Sequence, residues 1–166
     1  MRVKFYALLA ASVLSLSIGS AHAIEGRTSG GKPFPEASAG FVPKQTYDVD
    51  ANQLWGAMLS ALSGNSIAIA SAVKDAGQLT TDYIEGQQTT YLGGLGGYSV
   101  SRYKYTFFVV PEGAQTRLNI KAILESSHSG FRTSTTGFRD LSGQNPKVIE
   151  VLTNWMYQQI EQRLGL

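Results

Sequence analysis

Residues 101–125 read Ser-Arg-Tyr-Lys-Tyr-Thr-Phe-Phe-Val-Val, then Pro-Glu-Gly-Ala, then Gln-Thr-Arg-Leu-Asn-Ile-Lys-Ala-Ile-Leu-Glu. Tyr103, Tyr105, Phe107 and Val109 alternate with Arg102, Lys104 and Thr106. After the turn, Leu118, Ile120, Ala122 and Leu124 alternate with Arg117, Asn119, Lys121 and Glu125. A strict period of two puts each set on one face of a strand, so this stretch predicts a hairpin with one buried and one wet face. Pro111-Glu112-Gly113-Ala114 supplies the reversal.

A one-sided sheet needs a cover. At 147–164 the residues Val148, Ile149, Leu152, Trp155, Met156, Ile160 and Leu164 recur at helical spacing as a wide apolar stripe, behind Asn145-Pro146 as cap and first helical position. The polar stretch 126–144 between hairpin and helix reads as a loop. Upstream, 66–73 and 79–85 read as two more strands around the turn Lys74-Asp75-Ala76-Gly77, and 86–98, with its glycine cluster at 93–97, as a loop. Ala51, Leu54, Trp55, Met58, Leu59 and Leu62 mark an earlier helix, with Asp50 as N-cap and Gly64-Asn65 as stop. Residues 46–50 precede it as a short strand. The expected fold is α+β, an antiparallel sheet of about five strands in the order β-α-β-β-β-β-α, packed on the long C-terminal helix in a helix-grip-like arrangement. Pairing of 46–50 beside the last strand would leave 66–73 at the sheet edge.

The N-terminus reads as an address. Arg2 and Lys4 precede the uncharged run 5–19, and Ser20-Ala21-His22-Ala23 follows with the small residues that signal peptidase reads, so 1–23 is expected to be a signal peptide cleaved after Ala23. The run is shorter than the ~20 residues a spanning helix needs. Residues 24–45, with Gly, Ser and three prolines, read as a flexible extended leader, and 46–166 as one domain.

Cleavage changes the charge argument. The chain carries 14 Lys+Arg, 12 Asp+Glu and no cysteine. Losing Arg2 and Lys4 brings the basic residues level with the acidic ones, so the excess that suggests a nucleic-acid or membrane-surface partner belongs to the discarded segment. Absence of cysteine excludes disulfides, thiol chemistry and a lipid-bearing cysteine. The expected product is periplasmic, soluble and without lipid anchor or membrane span.

Catalytic groups do not cluster. His128, the one histidine after residue 23, sits in Ser127-His128-Ser129, and adjacent side chains do not make a nucleophile-base pair without an orienting third group. One histidine and no cysteine cannot supply a zinc site. Asp82, Glu85, Glu112, Glu125 and Asp140 fall at strand faces and turns. The glycines at 93–97 lack the following Lys-Ser/Thr and helix of a phosphate loop. No catalytic residue, metal or cofactor is expected, and no nucleic acid.

Two features point to binding. Gly-Phe-Arg occurs at 130–132 and again at 137–139. Phe131, Arg132, Phe138 and Arg139 either anchor a partner or fold back to plug the end of the sheet. The edge 66–73 is uncharged and suits pairing with another chain, with Ile67, Ile69 and Ser71 as contacts.

The pattern Tyr47-Asp48-Val49-Asp50, Leu54-Trp55, Lys74-Asp75-Ala76-Gly77-Gln78-Leu79-Thr80-Thr81, Arg102-Tyr103-Lys104-Tyr105 and a closing Trp155 helix resembles the BamC-like helix-grip domains. These belong to lipoproteins of the β-barrel assembly machinery in the Gram-negative outer membrane. The chain carries one such domain rather than two, and no cysteine for the lipid. The resemblance implies a fold and an envelope setting, and it brings no catalytic residue. The expected function is that of an exported, non-enzymatic protein-binding domain of the cell envelope, an accessory of outer-membrane assembly or maintenance, with envelope proteins as partners. The alternative is a periplasmic carrier of a small apolar ligand held between sheet and helix, lined by Tyr103, Tyr105, Phe107 and Trp155. Intact-mass measurement of protein recovered from the periplasm should give a chain beginning at Ile24; a mass that retains Met1 overturns the cleavage.

Overall fold

The structure, a computed structural model, describes residues 27–28, 33–91, 97–130 and 137–166. In chain order the elements are strands β1 (Arg27–Thr28) and β2 (Thr46–Tyr47), helix α1 (Ala51–Gly64), strands β3 (Ile69–Val73), β4 (Gln78–Thr81), β5 (Ile84–Tyr91), β6 (Gly97–Glu112), β7 (Gln115–Gly130) and β8 (Arg139–Asp140), and helix α2 (Pro146–Leu164). The fold is α+β with an antiparallel sheet and a C-terminal helix.

The β6–β7 hairpin is the axis of the sheet. Its two 16-residue strands pair without a register shift from Gly97↔Gly130 to Glu112↔Gln115. On one side of β6 lie β4, opposite its C-terminal half, and β5, opposite its N-terminal half. Beyond them sit β3 beside β4, and β1 beside β5. On the far side of β7 lie β2 and β8. The strand before α1 thus pairs beside the last long strand, and β3 is at an edge, as the sequence suggests.

Tyr103, Tyr105, Phe107 and Val109 project from the same face as Leu124, Ala122, Ile120 and Leu118, and α1 and α2 cover that face with Leu54, Met58, Leu62, Leu152, Met156 and Ile160. Asp50 caps α1 as expected, accepting from the Gln53 amide at 2.8 Å while Gln53 Oε1 accepts from the Asp50 amide at 3.2 Å. Gly77 ends the turn after β3 in the left-handed region (φ 63°), and a Cβ there would overlap the Val109 carbonyl oxygen, so the turn and its approach to β6 both require glycine.

Several expectations are corrected. The loop at 86–98 is mostly strand, because β5 runs to Tyr91 and β6 starts at Gly97. Its Gln and Thr residues show no apolar alternation, yet their backbones pair with β6. Likewise β7 continues through Ser126–Ser129 to Gly130 and β8 returns beside it, so the loop 126–144 is shorter than expected. Asp82-Tyr83 interrupts the expected strand 79–85, splitting it between β4 and β5. The strand at 46–50 is confined to Thr46–Tyr47. Among the described residues the sheet holds eight strands rather than about five, three of them two residues long. Asn145 stands before Pro146, but its side chain donates to the Leu141 carbonyl instead of capping α2.

The described part of the leader from residue 33 onward packs against the domain. Phe34 and Phe41 pack on the core, and Ser38 exchanges two hydrogen bonds with Gln158. At the leader's end the buried Glu161 carboxylate accepts from the Lys44 amide at 2.9 Å and from the Tyr47 hydroxyl at 3.1 Å. Removing that acceptor strands the Lys44 amide, at a cost of about 1–3 kcal/mol, whereas the Tyr47 hydroxyl keeps the Lys44 carbonyl as acceptor at 2.6 Å. Glu161→Ala should therefore lower the unfolding free energy in urea by about that amount, while Glu161→Gln, which keeps an acceptor oxygen, should lose less than half of it.

Candidate protein-binding surfaces

The two flanks of the sheet are finished differently. Along β7, the gap between β2 and β8 is bridged at Leu118, Ile120 and Leu124 by side chains and turns. The Leu118 amide donates to the Gln45 carbonyl at 2.8 Å, and the Tyr157 hydroxyl accepts from the Ile120 amide at 3.3 Å and donates to the Leu118 carbonyl at 2.9 Å. The Leu124 amide donates to Ser142 Oγ at 3.0 Å, and its carbonyl accepts from the Leu141 amide at 2.8 Å. Tyr157 and Ser142 thus stand in for a missing strand.

On the other flank β3 ends the sheet, and all five of its residues are exposed, Ile69 by 40% and Val73 by 51%. An edge strand without charge or proline is a template for a further strand. A bulge between Ile69 and Ser71 shortens its regular stretch. Of the three residues expected on this edge, Ile69 and Ser71 are on it. Ile67 is not; it precedes β3, packs against the core and bonds through its amide to the Leu62 carbonyl at 2.9 Å.

Phe131 and Arg132 lie outside the described residues. Phe138 is engaged within the chain. Its ring centroid lies 3.7 Å from the Arg102 guanidinium carbon, and that of Tyr83 lies 3.8 Å away. Two rings this close to one planar cation must lie on its two faces. Arg102 Nε and Nη2 donate to Glu125 Oε2 at 2.8 and 2.7 Å, and the Tyr83 hydroxyl donates to Oε1 at 2.7 Å. Lys104 adds a second cation 4.6 Å from the Tyr83 ring. This stack occupies the sheet face away from the helices and engages Phe138 within the chain, while the residue stays 40% exposed. Arg139 is exposed and joins the sheet through β8 opposite Ser126. The sequence shows each residue of the stack but not the cluster, since Tyr83, Arg102, Glu125 and Phe138 come from four segments.

Against a desolvation penalty that opposes it, the hydrogen bonds from Tyr83 and Arg102 and the positive charges of Arg102 and Lys104 hold the Glu125 carboxyl below its ordinary value of 4.5. Asp140 is likewise lowered, by the Ser142 hydroxyl and amide. Burial pushes the Tyr103 phenol up to about 12 and moves Tyr47 and Tyr105 upward too, so these phenols keep their protons at neutral pH.

His128 lies on β7 opposite Ser99. Alternation sends its side chain to the opposite face from those of Ser127 and Ser129, so neither neighbour can serve as a nucleophile beside it. Among the carboxylates, Glu112 pairs with Arg117 at 2.9 Å and Glu125 with Arg102. Among the described residues no three His, Asp or Glu side chains are grouped to hold a metal.

The expected ligand cavity is filled where Tyr105 and Phe107 lie. Both are fully buried, and the Tyr105 hydroxyl donates to the Leu152 carbonyl at 3.2 Å, so these side chains are core rather than lining. Tyr103 and Trp155 do border a surface cleft of about 190 Å³ beside Pro33 and Pro35. No protein-family model matches the chain, and no curated protein matches it. Among the described residues, no helix is long and apolar enough to cross a membrane.

A carboxyl lowered by folding stabilises the native state above its unfolded value and loses that contribution as pH falls through the folded one. Wild-type stability should therefore drop more steeply below pH 4.5 than that of Glu125→Gln, as read by urea titrations at a series of pH values; parallel curves would show that the stack contributes no linkage. At pH 7, Arg102→Ala should destabilise by about 1–3 kcal/mol.

Proposed function

We propose that the mature chain is an exported, non-enzymatic protein-binding domain of the cell envelope, an accessory of outer-membrane assembly or maintenance, which takes an extended segment of an envelope protein as an additional strand along β3. The observation that carries this reading is the contrast between the flanks, with the β7 side bridged by Tyr157 and Ser142 and the β3 side exposed from Ile69 to Val73. Main-chain hydrogen bonds along β3 supply affinity, and the neighbouring side chains supply selectivity. The residues 1–23 support export to the periplasm, and the BamC-like pattern supports the envelope setting.

A photo-crosslinking residue at Ser71, introduced in cells that export the protein, should capture a discrete envelope protein, and the same probe at the exposed Gln162 on α2 should not. Val73→Pro should abolish the capture by disrupting the edge. Equal labelling from both sites, or none from Ser71, would sink strand addition at β3.

A further inference from the structure

The leader occupies a seat that it does not fill. The half-buried Phe34 ring stands edge-on to Tyr103, with centroids 5.8 Å apart and planes at 68°. It rests on Gly86, where a Cβ would come within 2.9 Å of the ring, so the floor of the seat is backbone by necessity. Beside the ring the cleft of about 190 Å³ is still open, with Pro33 and Pro35 on one side and Ile67, Ile84, Tyr103 and Trp155 on the other. The polar anchors that follow along the chain are the exposed Ser38–Gln158 pair and, farther on, Lys44 with Glu161. Ahead of the seat, Arg27 and Thr28 pair antiparallel with Thr90 and Thr89 of β5.

Proline has no amide hydrogen to give, and Pro33-Phe34-Pro35 is held chiefly by the aromatic ring and by apolar contact. Grooves lined by aromatic side chains accept proline-flanked extended segments because these are already stiff and lose little entropy on docking. We infer that the Phe34 seat is an exchangeable peptide-binding site, occupied in cis by the leader and in trans by an extended segment of another polypeptide that carries an aromatic residue between prolines. The seated leader supplies the evidence for the occupant's chemistry, and the unfilled cleft gives a competitor room for more contact than Phe34 makes. While the leader is seated, apparent affinity for a competitor is reduced in proportion to the small fraction of molecules with the seat empty.

This site goes beyond strand addition at β3, and the two fail separately, since capture at Ser71 does not require an empty Phe34 seat. The test is fluorescence polarisation with a labelled synthetic peptide of residues 27–38, titrated with the exported full chain. Phe34→Ala, which vacates the seat, should bind the peptide at least tenfold more tightly than wild type. A peptide whose own phenylalanine is replaced by alanine should bind neither. Equal affinity for wild type and Phe34→Ala, or affinity indifferent to the peptide's phenylalanine, overturns the inference. Should Phe34→Ala fail to fold, amide exchange in the wild type decides. Local release of the leader requires the Ser38 amide to exchange about a hundredfold or more faster than the Tyr105 amide in the core. Exchange of both at one rate, through global unfolding, makes the leader a fixed part of the core and rejects exchange.

Discussion

The unshifted pairing of β6 with β7 is the constraint on which the other elements depend. Side chains along a strand alternate with a period of two, so a slip of one residue would turn one strand over against the other, carrying either Tyr105 and Phe107 of β6 or Leu118 of β7 to the wet face and either Arg102 and Lys104 or Glu125 under the helices. Both outcomes are costly, the second because it buries charge. The register therefore resists slippage over its whole length, and it fixes two surfaces at once. One is the apolar face that α1 and α2 cover. The other carries Arg102 beside Glu125, the pair around which Tyr83 and Phe138 assemble.

From that axis outward, the molecule uses side chains where it lacks backbone. Tyr157 reaches from α2 to the β7 edge with one hydroxyl that both donates and accepts, a task that phenylalanine at the same position could not perform. Glu161, one turn further along α2, receives the end of the leader. The C-terminal helix is thus a cover for the core and also a clamp for the chain that precedes the domain.

The parts of this fold that were legible in the sequence are those where burial imposes a pattern. Residues 101–125 and the stripe of α2 alternate because one face of each is dry, and Asp50 announces α1 because helix amides need an acceptor. The extensions of the sheet were not legible. Gln87 to Thr90 and Ser126 to Ser129 are polar on both faces, so their pairing leaves no trace in hydropathy; their partners are backbone groups, which every residue carries. The edge at β3 was legible from its lack of charge, although Ile67 was misplaced because the apolar alternation begins before the strand does. Phe138 was ambiguous for a different reason. Its partners Arg102 and Tyr83 are remote in sequence, and neither spacing nor composition reveals a stack built from four segments. The leader reads as mobile because glycine and proline dominate it, and its contacts, Phe34 on Gly86, Phe41 on the core and Ser38 with Gln158, join residues remote in sequence.

The unequal flanks also bear on stoichiometry. Open-ended growth by strand addition requires each molecule to offer an edge on both sides, one to receive and one to be received. Here, among the described residues, the β7 flank is bridged by Tyr157 and Ser142 between two short strands, so a molecule that has accepted a strand along β3 does not present a matching open strand on that flank. Flanks so unlike each other favour the taking up of one strand over open-ended growth, without any charge to enforce the difference.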